Sequence, residues 1–576
     1  MMATVNTMIL GIWDGHDAGA ALVQGDQIMF AINEERLSRR KLEIGFPQRS
    51  IAATLDFAGL KPADAATVAV STSDFAKTLT RWFPAMREEY YLIRRRKKYP
   101  GALTRFKKSL KYRLTEWPPS AVTRALSRVV LRRELRRAGL PGAELVLVDH
   151  HAAHAATAAF CSGFNQCLVL TIDGIGDALS GSIWSFKNGQ LHPVATLPGR
   201  ASFGIFFEHV TNLLNMRELE DEGKVMALAN YAYPVPDHDN PMLDFFVVDD
   251  VGIRARYSSL RMYRELARVL WRFPPEQFAY MAQRTLEVRI PELIRNALIK
   301  TGQRRIAYAG GVASNVKVNM LIRELPEVDN LYVFPHMGDG GLALGAAMWA
   351  NYTQFGINRY ALPDALLGPS YAESDVRAAL TAYPQFSTET PSDIAETAAD
   401  LISRGEIIFW FQGRMEYGPR ALGARSILAR PDSIAIKDAL NLKLKRRVWY
   451  QPFCPTMLHE DALEILEGYR GPPNPFMTCA YRTRPGKRHL IQGVINLDGS
   501  CRPQILNGEG LDPYTRLLKA VKQKTGLGVL LNTSFNLHGE PLICSPADAL
   551  RTFADTEVVC MVMERQLIAK KATGKA

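Results

Sequence analysis

The chain carries one local plan twice. Ile9-Leu10-Gly11-Ile12-Trp13-Asp14-Gly15 matches, with one gap, Val169-Leu170-Thr171-Ile172-Asp173-Gly174. In both copies an apolar run ends in Asp-Gly and passes through a loop into a hairpin. The first copy predicts strands over 8–14, 18–23 and 27–33, with Gly25-Asp26 as the hairpin turn. The second predicts a strand over 167–173, a loop Gly174-Ile175-Gly176-Asp177, a strand over 181–186 and a turn at Asn188-Gly189. Chance gives Asp-Gly twice, but not easily the whole strand, loop and hairpin plan. The pattern therefore reads as an internal duplication of a phosphate-handling hairpin.

Two glycine-rich elements follow. Ile306 to Asn315 predicts a strand entering a Gly310-Gly311 turn that opens a helix, where glycines let backbone approach a nucleotide and helix N–H groups meet phosphate. The second, 333–345, sets Asp339 between glycines ahead of a small-residue helix. Two hairpin halves with these loops describe a duplicated actin-like ATPase architecture of the sugar kinase/actin superfamily, an α/β fold. Domains are expected over 1–360 and 391–576, with a linker over 361–390.

Asp149-His150-His151-Ala152-Ala153-His154 lies between an apolar strand at 144–148 and an Ala-rich helix. If the helix begins at His150, the His150 and His154 rings share one face, with Cβ atoms roughly 5–6 Å apart. By itself the pair reads as a partly buried helix start. Asp173 and Asp339, each read as ending an apolar strand beside glycines, complete a set of two imidazoles and two carboxylates. That set suits Fe(II), Mn(II) or Zn(II). His151, at i, i+3 to His154, is the alternative to His150.

The net charge of +12 belongs to one segment. Residues 81–140 hold 18 Lys or Arg against 4 Glu, while the remaining residues hold 52 basic against 54 acidic. This segment is expected to be a basic helical insertion. Its aromatics, Trp82, Tyr90, Tyr91, Tyr99, Phe106, Tyr112 and Trp117, make it an electrostatic handle for an anionic membrane or glycolipid, favoured over RNA. No apolar run reaches membrane-spanning length, no signal peptide is expected in 1–20 because its apolar run is broken by Asp14, His16 and Asp17, and the seven cysteines form no CxxC pair. A reducing cytoplasm is the expected location.

Beyond residue 390 the composition changes. After a strand at 407–411, Gln412 to Ser426 places Arg414, Arg420 and Arg425 among Gly413, Gly418 and Gly423. Arginine forks bind phosphate and carboxylate, and glycines clear the approach. Lys445-Arg446-Arg447 adds cations, and a strand over 529–532 ends in Asn532-Thr533-Ser534-Phe535-Asn536.

These motifs, together with His16-Asp17, Glu34-Glu35-Arg36, Glu222-Gly223-Lys224-Val225-Met226 and Asn532 to Pro541, resemble the O-carbamoyltransferases of antibiotic and nodulation-factor biosynthesis, the NodU/TobZ type. The resemblance covers nearly the whole chain except 81–140. It implies an N-terminal domain similar to threonylcarbamoyl-transfer enzymes and a C-terminal α/β YrdC-like domain similar to enzymes that form threonylcarbamoyl adenylate. It further implies that the C-terminal domain makes carbamoyl adenylate from carbamoyl phosphate and ATP with Mg²⁺, releasing pyrophosphate. The N-terminal domain then transfers the carbamoyl group to a hydroxyl of a small molecule or glycan, with AMP leaving. Arg414, Arg420 and Lys445 are the expected catalytic cations, and His16 the general base. Lys224, Gly310, Gly311, Asn315, Arg425, Arg447, Arg502, Asn532, Ser534 and Asn536 are expected to bind substrate or nucleotide. His150, His154, Asp173 and Asp339 would hold Fe(II) or another divalent transition metal. Val448 and Gln451 stand where family members carry an acidic residue and an arginine. A homodimer is expected. RNA modification and a non-enzymatic actin-like regulator are the alternatives; the arginine-rich C-terminal domain argues against the first, and its pairing with the metal set against the second.

Overall fold

The computed structural model describes residues 8–61, 66–99, 101, 114–510 and 512–570. Phe106 and Tyr112 of the basic segment lie outside them. The chain divides into two compact units, one of residues 1–38 and 42–362, the other of residues 39–41 and 363–576.

The first unit holds two five-stranded sheets. One is built from β1 (Met8–Trp13), β2 (Gly19–Gln24), β3 (Gln27–Asn33), β4 (Thr67–Ser71) and β5 (Glu144–Val148), in the order β3-β2-β1-β4-β5. The other is built from β6 (Gln166–Gly176), β7 (Leu179–Lys187) and β8 (Gln190–Pro198), joined after a short ribbon of β9 (Phe246–Asp249) and β10 (Gly252–Ala255) by β11 (Arg305–Ala309) and β12 (Asn330–Val333). Its order is β8-β7-β6-β11-β12. In each sheet three strands form an antiparallel meander, and two more add parallel to the first. The two halves share one topology, so the duplication read from the Asp-Gly strands is structural. This is the actin-like α/β arrangement. Asn188 and Gly189, at φ 53° and 73°, supply the left-handed pair that a tight hairpin needs. β4 is buried throughout, as a parallel strand covered on both faces should be.

Two local readings change. The stretch 174–176, expected as a loop, continues β6, and the pairing with β7 slips between Ile172 and Gly176. Such a bulge bends a strand and re-aims its side chains, here around Asp173. Asp339 does not end a strand: β12 stops at Val333, and Asp339 opens the tight turn Asp339–Gly341.

Helix Leu342–Phe355 follows that turn and approaches its neighbours at backbone distance. A Cβ on Gly345 would lie 2.2 Å from the Ala153 carbonyl oxygen, and one on Gly11 would lie 1.9 Å from that of Ala343. This contact holds the helix against His150–Cys161 and β1.

The second unit is an eight-stranded mixed sheet. Its strands are β13 (Phe386–Glu389), β14 (Ile408–Phe411), β15 (Arg425–Ala429), β16 (Cys454–Leu458), β19 (Gln504–Leu506), β20 (Val529–Ser534), β21 (Cys560–Met563) and β22 (Gln566–Lys570). They run β13-β22-β21-β14-β15-β20-β16-β19, and β17 (Tyr481–Arg482) with β18 (Ser500–Cys501) forms a separate pair. Trp410, Leu428, Leu517 and Leu530 lie in its core. The stretch 361–390, read above as a linker, carries helix Glu373–Leu380 and edge strand β13, which pairs with β22. From Pro363 onward it belongs to the second unit, with Phe386–Glu389 paired into the sheet. Among the described residues no helix is long and apolar enough to cross a membrane.

The close approach at Gly345 is testable. Overpacking a filled interior costs about 1–3 kcal/mol, and the few tenths of a kcal/mol that valine gains over glycine in helix propensity do not offset it. Gly345→Val should lower the thermal unfolding temperature clearly; an unchanged transition would show that the two helices are not in backbone contact.

Candidate functional site

Helix His150–Cys161 begins where the spacing predicted, and all twelve of its residues are buried. His150 Nε2 lies 3.2 Å from Asp173 Oδ2 and 3.6 Å from Asp339 Oδ1; His154 Nε2 lies 3.1 and 3.6 Å from the same two oxygens. One donor atom from each of the four residues falls within 4.8 Å of all the others. Ligands about 2.1 Å from a shared ion sit about 3.0–3.4 Å apart at octahedral to tetrahedral angles; the two Asp173 distances fall in that range and the two Asp339 distances just outside it, so these four residues could hold a divalent transition metal.

The cluster is oriented from behind. Asp173 Oδ1 accepts the backbone N–H of Gly174 at 2.7 Å and of Gly311 at 3.0 Å, which leaves Oδ2 facing the imidazoles. Gly310 takes φ 99°, and a Cβ there would lie 2.2 Å from the Ile172 carbonyl oxygen. The Gly310-Gly311 turn, expected to cradle phosphate, thus buttresses Asp173 in this structure. Burial disfavours the charged form of His150, yet Asp339, Asp173 and Asp177 outweigh it and push the imidazole up to about 9. Burial raises Asp173, but hydrogen bonds and charge from the two histidines hold it well below the usual carboxylate range.

His151 turns away. Its ring nitrogens meet Thr171 Oγ1 at 2.8 Å and the Leu179 carbonyl at 3.1 Å, and burial together with the two neighbouring histidines pushes it down to about 3. The imidazole beside His154 in the cluster is therefore His150. His16, one-third exposed, places Nε2 3.2 Å from Asp339 Oδ2. Lys224 pairs at 2.7 Å with Asp221 on its own turn. Asn315, expected to bind nucleotide, caps helix Val316–Arg323 and exchanges two amide hydrogen bonds with Gln283. Both ends of its amide are thus committed to structure.

Asp14, the duplicate of Asp173, has a different environment. It is buried against Lys77 at 2.9 Å and Arg81 at 2.8 and 2.9 Å. Burial alone would raise its pKa, but the two cations hold it well below the usual range. Lys77 lies 4.1 Å above the Trp13 ring, and Trp13 meets both His16 and His150 edge to face. Asp14, Lys77, Arg81, Thr72 and Asp177 were not singled out as site residues from the sequence. The Asp-Gly duplication marked Asp14, but its partners come from chain positions with no motif.

The basic segment is corrected at its densest part. Arg94 pairs with Glu208 at 2.9 Å and Glu218 at 3.4 Å, Arg95 with Glu220, and Arg96 with the Met216 carbonyl at 2.8 Å. The charges of Arg94 and Arg95 are matched by carboxylates within the first unit, whereas exposed Arg96 meets neutral oxygens. Exposed arginines remain on helix Ala121–Arg137, at Arg128, Arg132, Arg133 and Arg136.

In the second unit the predicted cations separate into two groups. Arg425 is fully buried. It stacks on Phe411 at 3.5 Å and donates to the carbonyls of Gln412, Ala424, Gly413 and Cys544. Arg414 donates to the carbonyls of Gly368 and Leu367. Both arginines, expected to meet substrate, instead hold the loop. Asn532 is likewise internal, donating to Ala421, Thr456 and Tyr514. Glu416, not anticipated from the sequence, accepts the N–H groups of Leu422, Ala424 and Arg425 and shapes the turn.

Arg420, Arg447 and Arg502 form the second group, around Cys454. Arg502 donates to Cys454 Sγ at 3.2 and 3.0 Å. Burial and Arg502 bring Arg420 down to about 9. Burial, then Arg502 against an opposing pull from Cys454, brings Arg447 down to about 10. Among the described residues no carboxylate offsets either arginine, and Arg447 Nη2 is buried without a hydrogen-bond partner there. Like charges gathered this way call for an anion. Lys445, whose pKa burial and Arg447 hold well below normal, donates to the carbonyls of Ser534 and Asn536 and to Asn536 Oδ1. Ser534 Oγ completes that knot at 2.7 Å from Asn536 Oδ1.

Sequence profiles of the carbamoyltransferase N-terminus and the carbamoyltransferase C-terminus match residues 8–348 and 399–570. Nodulation protein NolNO of Sinorhizobium fredii is 33% identical over 570 residues, covering 97% of this chain and 80% of its own. Nodulation protein NolO of Bradyrhizobium diazoefficiens is 34% identical over 435 residues, covering 74% of this chain and 79% of its own. With both domains matched over most of its length, the chain belongs to the carbamoyltransferase family.

Proposed function

We propose that the protein is an ATP-dependent O-carbamoyltransferase whose two units divide the chemistry. In this reading the second unit forms carbamoyl adenylate from carbamoyl phosphate and ATP with Mg²⁺, and the first transfers the carbamoyl group to a hydroxyl of a small molecule or glycan. The observation that carries it is the convergence of His150, His154, Asp173 and Asp339 in a chain of this family.

His150, His154, Asp173 and Asp339 would hold Fe(II) or another divalent transition metal, which when bound supplies Lewis acidity to polarise a carbonyl oxygen. His16 and Asp339 form a base and its orienting carboxylate. The exposed part of His16 can receive the proton of an acceptor hydroxyl as that oxygen attacks the carbamoyl carbon. AMP departs as the new C–O bond forms. In the second unit Arg420, Arg447 and Arg502 would hold the polyanionic substrates, with Lys445, Ser534 and Asn536 beside the carbamoyl or ribose end. RNA as acceptor loses support because Arg94 and Arg95 are already paired with carboxylates.

Purified full-length protein should contain about one divalent transition metal per chain. His154→Ala should lose both metal, by elemental analysis, and carbamoyl transfer. A variant that keeps both would remove the centre from this reading.

The half-reactions should separate by variant. Arg502→Ala should cut carbamoyl-phosphate-dependent pyrophosphate release from ATP by about 10²–10³-fold, the usual loss for one donor to developing charge. His154→Ala should spare that release. Equal loss in both variants would overturn the division of labour.

A further inference from the structure

We propose that Thr72 is a positioning residue for His150, and that the turn at 71–74 exists to aim its hydroxyl at that imidazole. The proposal rests on reading the four-residue cluster as a metal centre. His150 Nε2 faces Asp173 and Asp339, and Thr72 Oγ1 lies 3.0 Å from Nδ1 on the other side of the ring. A nitrogen that ligates metal must offer its lone pair, so the ring proton resides on Nδ1 and needs an acceptor. Thr72 is that acceptor. Being neutral, it fixes the tautomer and the ring plane without adding charge to the centre.

The backbone shows that the turn is held for a purpose. Thr72 has φ 70°, a left-handed conformation that a β-branched residue rarely adopts. Such strain persists where the surroundings over-determine it, and here they do so from three sides. The Thr72 N–H donates to the Val148 carbonyl at 2.9 Å. Arg81 donates to the carbonyls of Thr72 at 2.9 Å and Ser71 at 3.2 Å, while other N–H groups of the same guanidinium grip Asp14 and meet Ser127 Oγ at 3.0 Å. Asp177 accepts the N–H groups of Ser73 at 2.9 Å and Asp74 at 3.0 Å through one oxygen, and that of His150 at 2.7 Å through the other. Asp177 thus ties the turn and the start of the His150 helix to one carboxylate. Arg81 ties the turn to the Asp-Gly strand of the first half. Neither bond set requires a hydroxyl at residue 72; that hydroxyl meets His150 Nδ1 at 3.0 Å and, at a longer 3.3 Å, Ser71 Oγ, which leaves the Thr72 oxygen able to accept from the imidazole while donating to Ser71.

Cobalt(II) affinity, measured by chelator competition on the metal-free full-length protein, should separate this role from a merely structural one. Thr72→Gly removes the hydroxyl and accepts the positive φ without strain, so its metal-free form should unfold at the wild-type temperature or above. Its cobalt(II) Kd should nevertheless weaken about 10–100-fold, the usual cost of losing a hydrogen bond behind a metal-bound histidine. Thr72→Ser should stay within about threefold of wild type. Thr72→Val, which keeps the shape and loses the hydroxyl, should match Thr72→Gly and stands in for it if the glycine variant does not fold. Wild-type affinity in the glycine or valine variant, or a serine variant as weak as they are, overturns the assignment. If wild type itself takes up no cobalt(II), the metal reading falls with it; if wild type binds and the variants bind equally, only the role of Thr72 falls.

Discussion

Asp173 is the junction on which the first unit's site depends. One of its oxygens is satisfied by two backbone N–H groups, and the other faces two buried imidazoles. A buried carboxylate is stable only when its charge is matched and its lone pairs are met, and this arrangement does both while holding one oxygen in place. The bulge in β6, the glycine turn at 310–311 and the close seat of helix Leu342–Phe355 all serve that geometry. Each would be a defect in a strand or helix whose only task was to fill a core.

The duplicated halves solve the same electrostatic problem differently. At the end of β1 Asp14 is neutralised by Lys77 and Arg81, which makes it an anchor. In β6 Asp173 is balanced by histidines, whose lone pairs a metal can take in place of protons. The same strand end therefore gives a carboxylate paired with cations in one half and a carboxylate faced by imidazoles in the other. The choice lies in which side chains arrive from elsewhere in the chain.

The arginines of the second unit follow the same principle. Arg425 and Arg414 direct donors to main-chain carbonyls, so their charge supports the loop. Arg420, Arg447 and Arg502 crowd together around a thiol, and burial first, with the Arg502 charge added to it, lowers the basicity of Arg420 and Arg447. Cations gathered against their own repulsion have donors and charge to offer an anion, whereas the donors of Arg425 and Arg414 are already spent on carbonyls. Charge density in the sequence could not separate the two groups. The same holds for residues 81–140, where Arg94, Arg95 and Arg96 were as prominent as the exposed arginines of helix Ala121–Arg137.

Sequence alone determined what repeats and what spacing specifies. The twin Asp-Gly strands implied two like halves, and the shared strand order bears this out. The i, i+4 interval of His150 and His154 put two rings on one helix face, because helical periodicity is local. Long-range satisfaction of polar groups belonged to the tertiary structure alone. His151 was excluded from the cluster by Thr171 and the Leu179 carbonyl, and Asn315 was committed by Gln283. Arg425 was withdrawn into the interior by carbonyls that include Cys544, and Thr72 was carried to His150 across the parallel pairing of β4 with β5. A side chain's identity states which hydrogen bonds it can make; which it does make depends on partners that only the folded chain brings within 3 Å or so, and no spacing rule reaches that far.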